Sequence, residues 1–414
     1  MTATLPACRL ISRANAVLRL VNSRPAARIA PSLLPDPEPA MTIDLMPGHN
    51  LPLQRYPQDS DPTLQAWDAA DEYLLNELAA SDLADGPLLI FNDSFGALGC
   101  ALHGRQPVSI SDSWLAQEAC RRNLAANALP GDAVTLLDSL APLPAAPALV
   151  IIKIPKTLAL LEQQLLALRE VVTPQTRILG AARVKDIHTS TLNLFERLLG
   201  PTTTSLAVKK ARLIHCTPTC PGTPQNPYPT CWPLAGTDWL IHNHANVFSR
   251  GSLDIGARFF LEYLPQARSG DIADLGCGNG VIGLAALAAN PQATLHFFDE
   301  SHMALASSRQ NVQHNRPQDL ARCHFHLGNS LQAVADASLD LVLCNPPFHQ
   351  QHALTDQLAW QMFTDARRCL RTGGELLIIG NRHLGYHVRL PRLFSRVETV
   401  AANQKFVILR AINS

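Results

Sequence analysis

Two stretches of the chain repeat one hydrophobic plan. Gly86 to Leu98 reads as an apolar run, a turn of small residues and the start of a helix, and Asp271 to Leu284 follows the same order with more glycine. Short apolar runs bounded by Gly or Pro predict buried strands. The match continues downstream: Ser111 to Asn127 lies without gaps on Asp299 to Asn315, sharing Ser113/Ser301, Ala116/Ala304, Arg121/Arg309, Asn123/Asn311 and Asn127/Asn315. Further on, an apolar strand over Ala148 to Ile152 runs into Lys153-Ile154-Pro155, and one over Leu339 to Cys344 runs into Asn345-Pro346-Pro347. Strands alternating with helices imply parallel sheets covered on both faces. The chain is therefore predicted to be α/β, with two tandem Rossmann-like domains from a duplicated unit, each a doubly wound, mostly parallel sheet.

The halves differ where chemistry would sit. At Asn345 the strand stops, because Pro346 and Pro347 have no N–H to extend a ladder. The carboxyl end of a strand is where open α/β sheets bind ligands. There the Asn345 amide oxygen and the Pro346 carbonyl offer two acceptors suited to an NH2 group, and Phe348 follows as a ring on which a base can stack. An exocyclic purine amine is a poor nucleophile while its lone pair is delocalised. Two acceptors that draw its N–H bonds out of the ring plane free that pair.

Between the strand Asp271–Leu275 and the helix Val281–Ala289, Gly276, Gly278 and Gly280 allow a sharp turn and a close approach to a ligand at a helix N-terminus. Asp299 ends the next apolar strand, Thr294 to Phe298, and is placed to accept ribose hydroxyls. Gly278-x-Gly280-x-x-Gly283 also fits the dinucleotide fingerprint, so an NAD-dependent oxidoreductase is a rival reading. Asp274 weighs against it, since a carboxylate there would face a pyrophosphate, whereas it suits the ammonium of S-adenosylmethionine. The first half lacks this turn near Asn92 and carries Lys153 in place of the amide, so it is expected to bind no cofactor.

Composition narrows the setting. With 414 residues, 47% apolar and 16% charged, and a formal net charge of zero, the chain is globular and carries no general basic coat for nucleic acid. The ten Cys are scattered, in keeping with a reducing compartment and a cytoplasmic location. Up to Pro35 there are five Arg and no acid, so residues 1–40 are expected to be a disordered extension or translated leader ahead of Met41, rather than a targeting segment. Domains are expected at 41–215 and 237–414, joined by a Pro-rich linker at 216–236. Cys216, Cys220 and Cys231 there lack zinc-site spacing, and no metal is expected. A polar and aromatic lead-in, Thr237 to His244 and Val247 to Gly251, could fold over the cofactor. No apolar run is long enough to span a membrane. From Arg367 to Ser414 nine Lys or Arg stand against Glu375 and Glu398, which makes either a phosphate-binding face or a solvated surface.

Taken in order, Asp274-Leu275-Gly276-Cys277-Gly278-Asn279-Gly280, Asp299-Glu300, Gly328-Asn329-Ser330 and Asn345-Pro346-Pro347-Phe348 resemble the motifs of class I S-adenosylmethionine-dependent methyltransferases that modify amines. Val247-Phe248-Ser249-Arg250, Leu253 to Arg258 and Phe348 to Asp356 more closely resemble the bacterial large-subunit (23S) ribosomal RNA guanine-N2 methyltransferases, from about Met41 to the C-terminus. That resemblance implies two methyltransferase-like domains, the first degenerate, acting as a monomer on large-subunit rRNA. It further implies that Asp274, Gly276, Cys277, Gly278 and Gly280 line the methionine end of S-adenosylmethionine, that Asp299 and Glu300 meet the ribose, and that Asn329 lies by the adenine. Many relatives have Asp at that last place. Asn345, Pro346, Pro347 and Phe348 would hold the guanine, which must be flipped or single-stranded to enter. Rival substrates are a guanine of small-subunit rRNA, adenine N6 in DNA and a protein glutamine.

Overall fold

The computed structural model describes residues 42–44, 50–58, 61, 63–347 and 352–414. The extension at 1–40, Phe348 and the string that follows it to residue 351 lie outside those residues. Two seven-stranded sheets form, one from each half. The first comprises β1 (Leu88–Phe91), β2 (Val108–Ile110), β3 (Thr135–Leu137), β4 (Leu149–Lys153), β5 (Arg177–Arg183), β6 (Thr202–Thr204) and β7 (Ala211–Cys216). Its spatial order is β3-β2-β1-β4-β5-β7-β6. A hairpin of β8 (Thr230–Pro233) and β9 (Leu240–Asn243) leads to the second sheet. That sheet comprises β10 (Ser269–Leu275), β11 (Gln292–Asp299), β12 (Cys323–Leu327), β13 (Leu339–Cys344), β14 (Leu370–Asn381), β15 (Arg396–Ala402) and β16 (Phe406–Ile412), in the order β12-β11-β10-β13-β14-β16-β15. The two orders are the same, parallel except where the last strand to form inserts antiparallel next to its neighbours.

In the second sheet, Ile272, Leu295 and Phe297 face helices α7 (Val281–Ala289) and α8 (His302–Asn315), while Ala273, Leu275 and Val342 face α9 (His352–Cys369) through Met362 and Phe363. Each large side chain so buried contributes roughly 1.5–3 kcal/mol. Helix α7 starts at Gly280, whose φ is +74°, and a Cβ there would stand 2.8 Å from Cβ of Ser308. Only glycine meets both demands. Gly96 plays the same part in the first half, at φ +78° and with its absent Cβ only 2.6 Å from Cα of Cys120.

The shared asparagines acquire a purpose. On α8, Asn311 donates from Nδ2 to the carbonyls of His242 and Asn279 and accepts the His242 N–H at 2.7 Å, while Asn315 clasps Leu240. On α3 (Trp114–Ala126), Asn123 does the same for Gln54 and Phe95, and Asn127 holds Pro52. Each half thus pins an extended lead-in strand beside its turn. The lead-in does not close over the cofactor turn: Leu240 to His242 is bonded along α8. The stretch read as a linker is shorter than expected. Cys216 completes β7, and β8 forms inside it because Trp232 and Ile241 pack into the second core.

The halves meet about a local two-fold. Ser113 and Ser301 form a bridge, the Trp114 N–H donates to the Glu300 carbonyl at 2.8 Å, and the His302 N–H donates to the Asp112 carbonyl at 2.9 Å. The two bonds exchange positions that the sequence alignment equates. Among the described residues, no helix is long and apolar enough to cross a membrane.

Candidate active site

Parallel register sets four strand ends side by side. Leu275 stands opposite both Cys344 and Phe298, and Asp299 opposite Leu327. Asn345, Gly276, Asp299 and Gly328-Asn329 therefore leave four adjacent strands at one level, along the carboxyl edge where open α/β sheets take ligands. The grouping read from the motifs comes together in space, apart from Phe348, which is outside the described residues.

Each member has a local cause. The Gly276 and Cys277 N–H groups both donate to the Phe298 carbonyl at 2.9 Å, which starts the turn. The Gly278 N–H donates to Oδ2 of Asp299 at 2.9 Å, and the Ser301 N–H donates to Oδ1 at 3.0 Å. Asp274 reaches forward to the Gly283 N–H, Oδ2 to N 2.8 Å, tying the strand to the first turn of α7. Asn279 braces the turn from behind: its Nδ2 donates to Oδ1 of Asn243 at 2.9 Å. Cys277 turns its sulfur to Ser308, Sγ to Oγ 3.3 Å, so only its backbone faces the bowl. Gly278 sits at φ +55° with open space where a Cβ would be.

Two carboxyls with raised pKa lie at the turn. Asp274 is 1% exposed, and burial pushes its carboxyl up to about 8, against the Gly283 N–H and with the help of Asp299. Asp299 is also raised, chiefly by burial, its two backbone donors opposing. A carboxyl that would ionise only with an opposite charge beside it suits an ammonium or sulfonium. At the four strand ends just described, two buried amide atoms have no hydrogen-bond partner: Nδ2 of Asn329 and Oδ1 of Asn345. An unused donor at one end and an unused acceptor at the other fit an adenine ring and a substrate amine respectively, since buried polar atoms otherwise pair. Pro346 is buried and Pro347 exposed, so the first proline packs while the second lines the opening.

Glu300 departs from the reading that gave it to the cofactor. Its Oε2 accepts from Oγ of Ser113 in the first half at 2.5 Å, and burial lifts it to about 7 against that bond. Its carboxylate serves the contact between the halves. Among the C-terminal arginines, Arg396 and Arg410 pair with Glu398, Arg371 pairs with Asp271 and Asp340, and Arg382 donates to the Asn403 carbonyl. Sequence reasoning missed Asn243 and Asn279 as braces, since neither is repeated in the first half.

The first half keeps the shape and loses the groups. Counting back from Gly96 and Gly280, Ile90 replaces Asp274 and Asn92 replaces Gly276 with φ +62°; in the alignment of Ser113 with Ser301, Ser111 replaces Asp299. Lys153 stands where Asn345 does, its Nζ 2.7 Å from Oδ1 of Asp68 and 2.6 Å from Oδ1 of Asp71. Burial would push its ammonium down, but the two carboxylates outweigh it and hold the pKa above the usual lysine range.

Strand order, glycine turn and acid placement define a class I S-adenosylmethionine-dependent methyltransferase preceded by a degenerate copy of the same fold. Residues 41–220 match the family model RLMG N-terminal domain, and residues 238–410 match Methyltransferase small domain. The chain belongs to the ribosomal RNA large subunit methyltransferase G family. It is 62% identical over 366 residues to the protein of that name from Pectobacterium atrosepticum, covering 88% of this chain and 97% of the relative. It is 60% identical to that from Aeromonas hydrophila, covering 87% and 97%. Among solved structures, a 16S rRNA N2 G1207 methyltransferase of T. thermophilus, in complex with AdoMet and guanosine, superposes with a TM-score of 0.69 at 18% identity, over 90% of this chain and 98% of that one, a likeness of fold.

Proposed function

We propose that the second domain methylates the exocyclic N2 amine of a guanosine in large-subunit rRNA. The domains are taken as 41–215 and 237–414, acting as one chain in the cytoplasm. S-adenosylmethionine supplies the electrophilic methyl. Asp274 pairs with its ammonium, Asp299 accepts from the ribose hydroxyls, Nδ2 of Asn329 donates to the adenine, and Gly278 leaves room for the backbone to close on it. Oδ1 of Asn345 and the Pro346 carbonyl accept the two N–H bonds of the guanine amine and turn its lone pair toward the methyl. Alignment of the attacking nitrogen provides most of the rate, and the proton departs to water after transfer.

One observation carries this reading: a buried amide oxygen with no partner, Oδ1 of Asn345, at the level of the glycine turn on the adjoining strand. Asn345→Ala is expected to lower single-turnover methylation of rRNA by about 100-fold, in the range for removing one group that acts in the transition state. Cofactor affinity should stay within about twofold. Equal loss of both would refute the role. Mass mapping of methylated nucleosides after incubation with 23S rRNA, 16S rRNA, DNA and protein identifies the substrate.

A further inference from the structure

The degenerate domain does more at the contact than cover surface. Asp112 lies in it, 4% exposed, at the position equivalent to Glu300, and its carboxylate accepts three hydrogen bonds. They come from Oγ of Ser301 at 2.6 Å, the Met303 N–H at 2.8 Å and Nδ2 of Asn246 at 2.8 Å. Ser301 is the pivot. Its hydroxyl is held by Asp112, the same oxygen caps α8 by accepting the Ala304 N–H at 3.1 Å, and its own N–H holds Oδ1 of Asp299. Asp299 in turn holds the Gly278 N–H with its other oxygen. The mirror bond, Ser113 to Glu300, clamps the residue between Asp299 and Ser301 from the other side. Among the described residues, the Ser301 hydroxyl donates to no other side chain.

We propose that Asp112 and Ser113 of the non-catalytic domain are positioning residues for the cofactor: through Ser301 and Glu300 they set the Asp299 carboxylate that reads the ribose. Asp299 is a half-buried carboxylate with two backbone donors, so its two oxygens have defined directions, and a hydroxyl pair can be met in only one rotation of the group. Loosening Ser301 frees that rotation, and with it the hold of Asp299 on the Gly278 N–H, without touching Asp274 or Asn345. Affinity for S-adenosylhomocysteine should fall as much as that for S-adenosylmethionine, because both carry the same ribose.

The proposal rests on the assignment of Asp299 to the ribose, and one experiment separates the two. Dissociation constants of the full-length protein are measured for S-adenosylhomocysteine and its 2′-deoxy analogue by calorimetry. In the unaltered protein, loss of a hydroxyl bonded to a carboxylate should weaken binding roughly tenfold or more. If it does not, the Asp299 assignment itself fails. In Asp112→Asn the ratio between the two ligands is expected to shrink below about threefold, since the contact being tested is already loose. Ser113→Ala should reduce it in the same direction, and Ser113→Thr, which keeps the hydroxyl, should restore it. A merely structural role would lower the melting temperature and leave the ratio unchanged. An unchanged ratio in Ser113→Ala, or in a folded Asp112→Asn, overturns the proposal; if Asp112→Asn does not fold, Ser113→Ala and Ser113→Thr decide.

Discussion

Asp274 should make the protein less stable in order to bind its cofactor, and Asp274→Asn exposes the trade. The folded carboxyl has a pKa of about 8, against 3.8 for an ordinary aspartate, because it is wholly buried. Folding therefore takes up a proton between those values. The favourable contribution is complete below the unfolded pKa and is lost as pH rises through about 8. At about 1.4 kcal/mol per unit, the cost at pH 7 relative to an uncharged isostere is at most about 4 kcal/mol, and it grows to about 6 above pH 8. Asparagine has the same shape, keeps an oxygen for the Gly283 N–H and does not ionise. Cofactor-free Asp274→Asn should melt several degrees above the unaltered protein near pH 7, with a gap that widens toward about pH 9. The same variant should lose at least about tenfold in affinity for S-adenosylmethionine, because the ammonium has lost its counter-charge. Thermal melts by circular dichroism across about pH 6 to 9, paired with calorimetric binding, measure both. A variant that melts at or below the unaltered protein at every pH, or a gap that does not change with pH, refutes the argument.

Two neighbouring glycines should separate stability from binding. Gly278→Ala places a methyl in open space at φ +55°, costing roughly 1–2 kcal/mol of strain but blocking the bowl, whereas Gly280→Ala drives a methyl to 2.8 Å from Cβ of Ser308 and should collapse the melting temperature along with binding. Differential scanning fluorimetry with and without cofactor distinguishes them. Lys153→Met should leave cofactor affinity unchanged and destabilise the protein by about 3–5 kcal/mol near pH 8, by stranding the buried Asp71 carboxylate in the interior. Because burial already raises Asp71 to about 7, that deficit should shrink in acid, where the carboxyl takes a proton; urea unfolding at two pH values tests it.

Much of this was legible because the chain is punctuated where it binds. The strand Leu339–Cys344 and the helix Val281–Ala289 have in the structure the bounds expected of them, set by two prolines in one case and an αL glycine in the other. Asp299 was placed by counting from the turn to the end of the next strand. Glu300 was not, because its partner Ser113 lies 187 residues away and nothing local marks the pairing. The same distance problem hid the place of the lead-in: the His242 N–H is committed to Asn311, 69 residues on. Strand β8 was obscured by the proline and threonine around it, and is made by the burial of Trp232 and by pairing with β9. Whether the C-terminal arginines make a phosphate-binding face or a solvated surface stayed open because strand pairing, which sets Glu398 opposite Arg410, has no signature in composition.

Lys153 gives the history of this fold a direction. To match the second domain, the first would have to gain an acid at Ile90 and at Ser111 and give up its lysine, and giving up the lysine alone strands the Asp71 carboxylate in the interior. Such a domain does not drift back to the arrangement of its twin, and its outer face stays free to be reworked for new contacts.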